Sequence, residues 1–352
     1  MTEKIIYVSE TNGFCKGVKN AVDTALRYAG ENVYTFGEIV HNKRVVNKLA
    51  SLGIRMTEDV SGLKKGDTLI IRSHGAKKSV FEQCEKSGVK VVDAIGYVLD
   101  CRAPFSCFNP AFGQYTEKKP CVFLLNKSDL ADEKTTDRWL AYFASKGDKA
   151  IALNANEKGC AKQVVKAFDS LEMKNVLRLR QKGVVRPVRI MIIGVPNSGK
   201  SSIINLLSGR KSAVTGNKPG VTKGNQWIRL NKTLELLDTP GTLWSRFENQ
   251  CVAQNLFFIG SISDNVVDLC EGGQALLDRL TEVAPDALKN RYKLADGDLR
   301  DEGLMDKICI KRGCLNKGEP DRERCAAAII DDFRKGRMGR VSLEAPQAED
   351  EA

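Results

Sequence analysis

Histidine is nearly absent from this sequence. His41 and His74 are the only two in 352 residues, and both fall in the first quarter. That scarcity argues against a zinc centre built on imidazole and removes histidine acid–base chemistry from everything after residue 74. Long apolar runs are missing too. No stretch reaches the 18 or more residues of a membrane span, and the opening MTEKIIYVSE lacks a signal-peptide core. A cytoplasmic protein with no membrane partner is expected. Cysteine is plentiful at eleven, but the count is odd and no C-x-x-C pair occurs. Cys101, Cys107, Cys121 and most of the others are expected to be free thiols, used as small apolar side chains.

Positive charge is in excess: 55 Lys and Arg against 44 Asp and Glu leave +11. Such a surplus favours a polyanionic partner, nucleic acid first. The length allows two or three domains. Over residues 1–93 short β-rich runs (Ile5–Val8, Leu69–Arg72, Val89–Val92) alternate with a helical pattern in which Val18, Val22, Ala25 and Ala29 share a face. A second α/β unit follows, with apolar strands at Tyr97–Asp100, Cys121–Leu125, Ala150–Leu153, Arg189–Ile193 and Leu234–Leu237 and a basic connector over Lys174–Arg189. This βα alternation implies a mostly parallel sheet. From about Phe247 the pattern turns helical. Leu276, Leu280 and Val283 share one face, and Ala326, Ile330 and Phe333 another. The end, EAPQAEDEA, is acidic and expected to be disordered.

Four motifs carry the chemistry. The strand ending at Ile193 runs into Gly194-Val195-Pro196-Asn197-Ser198-Gly199-Lys200-Ser201 and then into a helix, which is the setting a phosphate-binding loop needs. Its amides, Asn197 to Ser202 among them, can cradle phosphates. Lys200 is the candidate to bridge the β- and γ-phosphates, and the Ser201 hydroxyl to ligate Mg²⁺. Asp238-Thr239-Pro240-Gly241 follows another apolar strand, 38 residues after Lys200. Asp238 is expected to hold the magnesium through water and the Gly241 N–H to sense the γ-phosphate. Between them Thr222, in Asn217–Thr222, is the candidate to reach magnesium and γ-phosphate. Asn126-Lys127-Ser128-Asp129 supplies base choice. The Asp129 carboxylate can accept two N–H donors of guanine, and adenine would leave it unpaired at about 1–3 kcal/mol. GTP or GDP is therefore the expected ligand. The guanine tetrapeptide precedes the phosphate loop, the reverse of the usual order, which marks a circularly permuted P-loop GTPase.

With YVLDCRAPFSCFNP, LLNKSDLA, GVPNSGKSSIINLL, KPGVTKGNQW, DTPGTLW, KRGCL and DFRKGRMGRVSLE, residues 97–344 resemble the bacterial ribosome biogenesis GTPase A family. The resemblance implies GTP hydrolysis and help in late assembly of the large (50S) ribosomal subunit. Its partners would be the subunit precursor and its rRNA, and not DNA. The helical region would contact RNA through Lys307, Lys311, Arg312, Lys317, Arg334, Lys335, Arg337 and Arg340. It also implies a K⁺ ion near Asn197. After Gly241, where a Ras-like enzyme has glutamine, stands Thr242, while the family usually has an apolar residue. A histidine upstream of the first GTPase strand is proposed as its catalytic group, and residues 94–352 contain none. Unaided turnover is expected to be slow.

The first 93 residues read differently. Gly13-Phe14-Cys15-Lys16-Gly17-Val18, Gly37-Glu38-Ile39-Val40-His41-Asn42 and Arg72-Ser73-His74-Gly75 resemble the N-terminal lobe of 4-hydroxy-3-methylbut-2-enyl diphosphate reductase (LytB/IspH type). In that family the cysteine matching Cys15 ligates an iron–sulfur cluster, and the histidines matching His41 and His74 bind the diphosphate. The match stops near Asp93-Ala94, before the further ligand cysteines, and one thiolate cannot hold such a cluster. The lobe is read as truncated and vestigial.

The resulting expectation is a reductase-like βα lobe (1–93), a permuted GTPase domain (94–246), a small all-α domain (247–344) and an acidic tail (345–352). Two other readings stay open. One is an iron–sulfur reductase of the isoprenoid pathway, and the other a fusion that binds nucleotide without a productive partner.

Overall fold

In a computed structural model the described residues are 33–36, 54–64, 68–71, 79, 83 and, with short gaps, 92–346, the longest gap being 210–225. The chain divides into two units, Met1–Val91 and Val92–Ala352. In the first, strands β1 (Val33–Phe36), β2 (Ile54–Thr57) and β3 (Thr68–Ile71) form a parallel sheet of order β2-β1-β3. β3 realises the run expected at Leu69–Arg72, whereas Ile5–Val8 and the helix of Val18 lie outside the described residues.

The second unit is built on β4 (Ala94–Asp100), β5 (Cys121–Asn126), β6 (Lys149–Leu153), β7 (Val188–Ile193), β8 (Gln226–Arg229) and β9 (Leu234–Asp238), in the order β6-β5-β4-β7-β9-β8. All neighbours are parallel except β8, which runs antiparallel at the edge. Every residue of β4 is buried, as a strand covered on both faces requires. Alternation then sorts its side chains. Ile95, Tyr97 and Leu99 join the core shared with the C-terminal helices. Ala94 and Val98 join the other core, beneath α2 (Cys160–Asp169) and α4 (Lys200–Ser208).

Helix α1 (Glu133–Ser145) lies on the first face. It is capped by Asp132, whose carboxylate accepts from the Thr135 amide at 2.8 Å, and it buries Trp139 and Phe143. The basic stretch 174–189 is not merely a connector, since Lys174–Gln181 forms helix α3. Beyond the sheet come α5 (Gln250–Phe258), α6 (Leu269–Val283), α7 (Pro285–Tyr292), α8 (Leu304–Arg312), a two-residue hairpin of β10 (Leu315–Asn316) and β11 (Glu319–Pro320), and α9 (Arg322–Arg334). Leu276, Leu280, Ala326, Ile330 and Phe333 are buried as expected, but Val283, in the last turn of α6, is 38% exposed.

Strand order runs outward from β4 through β5 to β6, and from β7 through β9 to β8 on the other side. The direction of winding therefore reverses between β4 and β7. In open α/β sheets that reversal opens a crevice at the carboxyl ends of the strands. The loops that carry the Asn126, Gly194 and Asp238 motifs, after β5, β7 and β9, leave from those ends.

Candidate active site

The loop after β7 approaches its neighbours so closely that side chains are excluded. A Cβ on Gly194 would lie 2.4 Å from the Val98 carbonyl oxygen, and one on Gly241 2.6 Å from Pro196 Cα and 2.8 Å from Lys200 Nζ. Gly199 and Asn197 both take positive φ, 95° and 58°, so successive amides turn toward one concavity at the start of α4. Ser198 closes the loop with its hydroxyl on the Val195 carbonyl at 3.0 Å. Lys200 is buried and donates to the carbonyls of Gly194 (3.1 Å) and Val195 (2.8 Å). Burial pulls its ammonium pKa down to about 8, against the attraction of Asp238.

Asp238 ends β9 almost fully buried, and its Oδ1 has no hydrogen-bond partner. Burial raises its carboxyl pKa, with Lys200 and the Thr239 amide pulling the other way. A buried, unsatisfied carboxylate oxygen is costly unless something meets it, and it fits a hydrated cation. Ser201 and Ser202 open α4. Thr222 lies outside the described residues, as do Cys15, His41 and His74.

Asn126 joins the two halves of the permuted sequence. Its Nδ2 donates to the Ser198 carbonyl at 3.0 Å, and its Oδ1 accepts from the Ala155 amide at 3.1 Å. Lys127 follows with φ 61° and forms an ion pair with Asp100 at 2.9 Å, while Asp129 stands exposed. Asp100, at the end of β4, is fully buried and also grips Arg102 through two hydrogen bonds, at 2.9 and 2.8 Å. Burial alone would raise its pKa, but the Arg102 and Lys127 cations hold it well below the usual carboxylate range. Sequence reasoning gave Asp100 and Arg102 no role. The available signal was a carboxylate ending a wholly apolar strand, two residues before an arginine.

Two further contacts tie the phosphate loop to the helices. Asn197 Nδ2 donates to the Ile259 carbonyl at 3.2 Å, and the buried Ser261 hydroxyl donates to the Pro196 carbonyl at 2.7 Å. The basic cluster expected to face RNA is largely engaged within the fold. Lys307 pairs with Asp298 and Asp301, Arg334 with Asp264, Lys335 with Asp331, and Lys311 donates to the Lys293 carbonyl. Arg291, Arg312 and Arg337 all converge on the buried Asp332. Arg337 also pairs with Asp331, so Arg291, Arg312, Lys335 and Arg337 gather four cations around two carboxylates. The nine cysteines among the described residues are free, and burial pushes the Cys101 thiol up to about 12. No group of three or more metal-ligating side chains occurs among the described residues, and no described helix is long and apolar enough to cross a membrane.

Comparison with known proteins follows the same division. The family model described as 50S ribosome-binding GTPase matches residues 189–291, and the one described as LytB protein matches residues 6–99. The second match runs into β4, past the point where the sequence resemblance fades. Ribosome biogenesis GTPase A of Bacillus cereus is 36% identical over 261 residues, covering 74% of this chain and 88% of that protein. Its counterpart in Priestia megaterium is 37% identical over 261 residues, covering 73% and 91%. Among solved structures, GNP-bound YlqF from T. maritima superposes with a TM-score of 0.52 at 29% identity, covering 76% of this chain and 98% of that one.

Proposed function

The chain belongs to the ribosome biogenesis GTPase A family, and from that premise we propose that it hydrolyses GTP at the β4/β7 crevice while assisting assembly of the large ribosomal subunit through rRNA. One observation carries the nucleotide assignment: Asn126 bonds the base-side loop to the phosphate loop across 72 residues of sequence. That bond supports a shared site for the two motifs although their order is swapped.

In this reading Asp129 accepts the N1 and N2 hydrogens of guanine and the Lys127 stem lies along the base. Lys200 exchanges the Gly194 and Val195 carbonyls for phosphate oxygens, so the lysine that closes the loop on itself also grips the ligand. The Gly241 amide meets the γ-phosphate. Ser201, Asp238 and Thr222 would hold Mg²⁺, which supplies charge neutralisation on the phosphates; the partnerless Asp238 oxygen fits that role. Asn197, already anchored to Ile259, is the candidate to hold K⁺. The Asp332-centred guanidinium group offers RNA phosphates a surface of net positive charge.

The test is the GTPase rate of purified protein with and without large-subunit precursor particles. Slow turnover alone and a rise of at least about tenfold with particles are expected, the size of effect an added transition-state contact gives. Equal rates would leave the ribosomal part of the reading without support.

A further inference from the structure

The segment after α9 does not run out into solvent; it returns to the base-side loop. Arg340 donates from Nε to the Ala131 carbonyl at 2.8 Å and from Nη2 to the Ser128 carbonyl at 3.1 Å, and its Nη1 reaches Glu133 at 3.2 Å. The Val341 amide donates to the Leu130 carbonyl at 2.9 Å, and the Ser342 hydroxyl accepts from the Asp132 amide at 3.1 Å. Gly336, with φ 68°, allows the turn; a Cβ there would lie 2.6 Å from the Leu130 side chain. Residues 128–132 are therefore held along their length by residues more than 200 positions away.

The same loop is gripped from the interior. Asp100 fixes Lys127, and Arg102, 1% exposed, holds Asp100 while reaching the carbonyls of Phe333 (3.4 Å) and Arg334 (3.5 Å) at the end of α9. Its guanidinium stacks on the Phe333 ring at 5.0 Å, and its own carbonyl accepts from the Leu343 amide at 2.8 Å. Both grips converge on one place, the carboxyl end of α9 and the strap that follows.

We propose that the strap of residues 336–343 is the positioning element for guanine selectivity, with Arg340 and Ser342 holding the base loop from outside while Asp100 and Arg102 hold Lys127 from inside. The proposal rests on the base-recognition reading above. None of these residues touches the nucleotide in that reading; they set the angle at which Lys127 and Asp129 meet the base. The coupling is reciprocal: whatever lifts the strap weakens guanine binding, and a bound guanine secures the strap. A partner engaging the helical region thereby gains a route to release GDP from the base side, independent of the γ-phosphate.

The experiment is equilibrium titration of GDP and inosine diphosphate, which lacks the N2 amino group, against the full chain and its variants. Arg340→Ala should weaken GDP about tenfold, the scale of one lost charge-assisted hydrogen bond, and shrink the preference for GDP over inosine diphosphate several-fold. Arg340→Lys, able to meet one carbonyl, should recover part of that preference. Ser342→Ala removes a single bond and carries the test should Arg340→Ala not fold. A contact that only stabilised the fold would lower the melting temperature and leave the preference untouched. Asp129→Asn separates the two levels. If it abolishes the preference while the Arg340 and Ser342 variants keep that of the parent, the strap has no such role and base recognition stands. If Asp129→Asn itself leaves the preference intact, base recognition falls and the strap's role falls with it.

Discussion

Lys200 is a buried base whose pKa of about 8 lies well below that of a free lysine because burial disfavours its charge. Nucleotide phosphates would restore the charged form and raise that value. Below pH 8 the ammonium is already protonated and binding needs no proton. Above it, binding must take up a proton, so GDP affinity should fall by about tenfold per pH unit until the bound-state value is reached. Isothermal titration in buffers of different ionisation enthalpy would detect proton uptake that rises between about pH 7.5 and 8.5, a window that lies between the titration of the GDP β-phosphate and that of guanine N1. Lys200→Met should abolish both the uptake and the slope. At this scale the sequence was informative about placement: Lys200, Ser201 and Asp238 stand where strand and helix signals put them, at the start of α4 and the end of β9. It was silent on Asp100, Arg102 and Ser261, because partners of theirs lie 27, 231 and 65 residues away in sequence. It gave no hint of the bonds Arg340 makes to the Ala131 and Ser128 carbonyls, since charge alone does not name a partner.

Elements were legible in proportion to their burial. β4, β5 and β7 are near-continuous apolar runs, and each was recognisable as a strand. β8, with Gln226 and Arg229 at its ends on the sheet edge, carries no such signal, and neither does α3, whose basic composition concealed a helix. The bond from Asn126 to Ser198 that joins the β5 and β7 loops has no signature in the sequence. Gly199 is its most sensitive point. A Cβ there would lie 2.0 Å from Asn126 Nδ2, at a φ of 95° that side chains rarely adopt. Gly199→Ala must therefore displace Asn126 as well as strain the loop. A loss of about 1–3 kcal/mol in stability is expected from the backbone alone, with a larger fractional loss of GDP binding. Thermal unfolding and nucleotide titration of one preparation would show both. A variant that kept full affinity would mean that Asn126 does not join the two loops.

For the whole molecule, the question is where the GTPase unit begins. The LytB match reaches residue 99, inside β4, so similarity alone places the start ambiguously. Physical contacts place it at Val92. Asp93 receives both terminal nitrogens of Arg186, at 2.7 and 2.8 Å, and the Arg189 amide at 2.9 Å, while its own amide donates to the Arg189 carbonyl at 2.7 Å. These bonds bolt the entry of β4 to β7, the strand that presents the phosphate loop. A chain starting at Val92 keeps the bolt and is expected to bind GDP with the affinity of the full sequence. A chain starting at Ile95 loses it and should be less stable by about 2 kcal/mol, the scale of hydrogen bonds to a charged group, with weaker GDP binding because β7 is no longer held at its start. Chemical denaturation and GDP titration of the two chains would decide the matter. If the Val92 chain failed to bind, Val92 would not be where the nucleotide-binding unit begins.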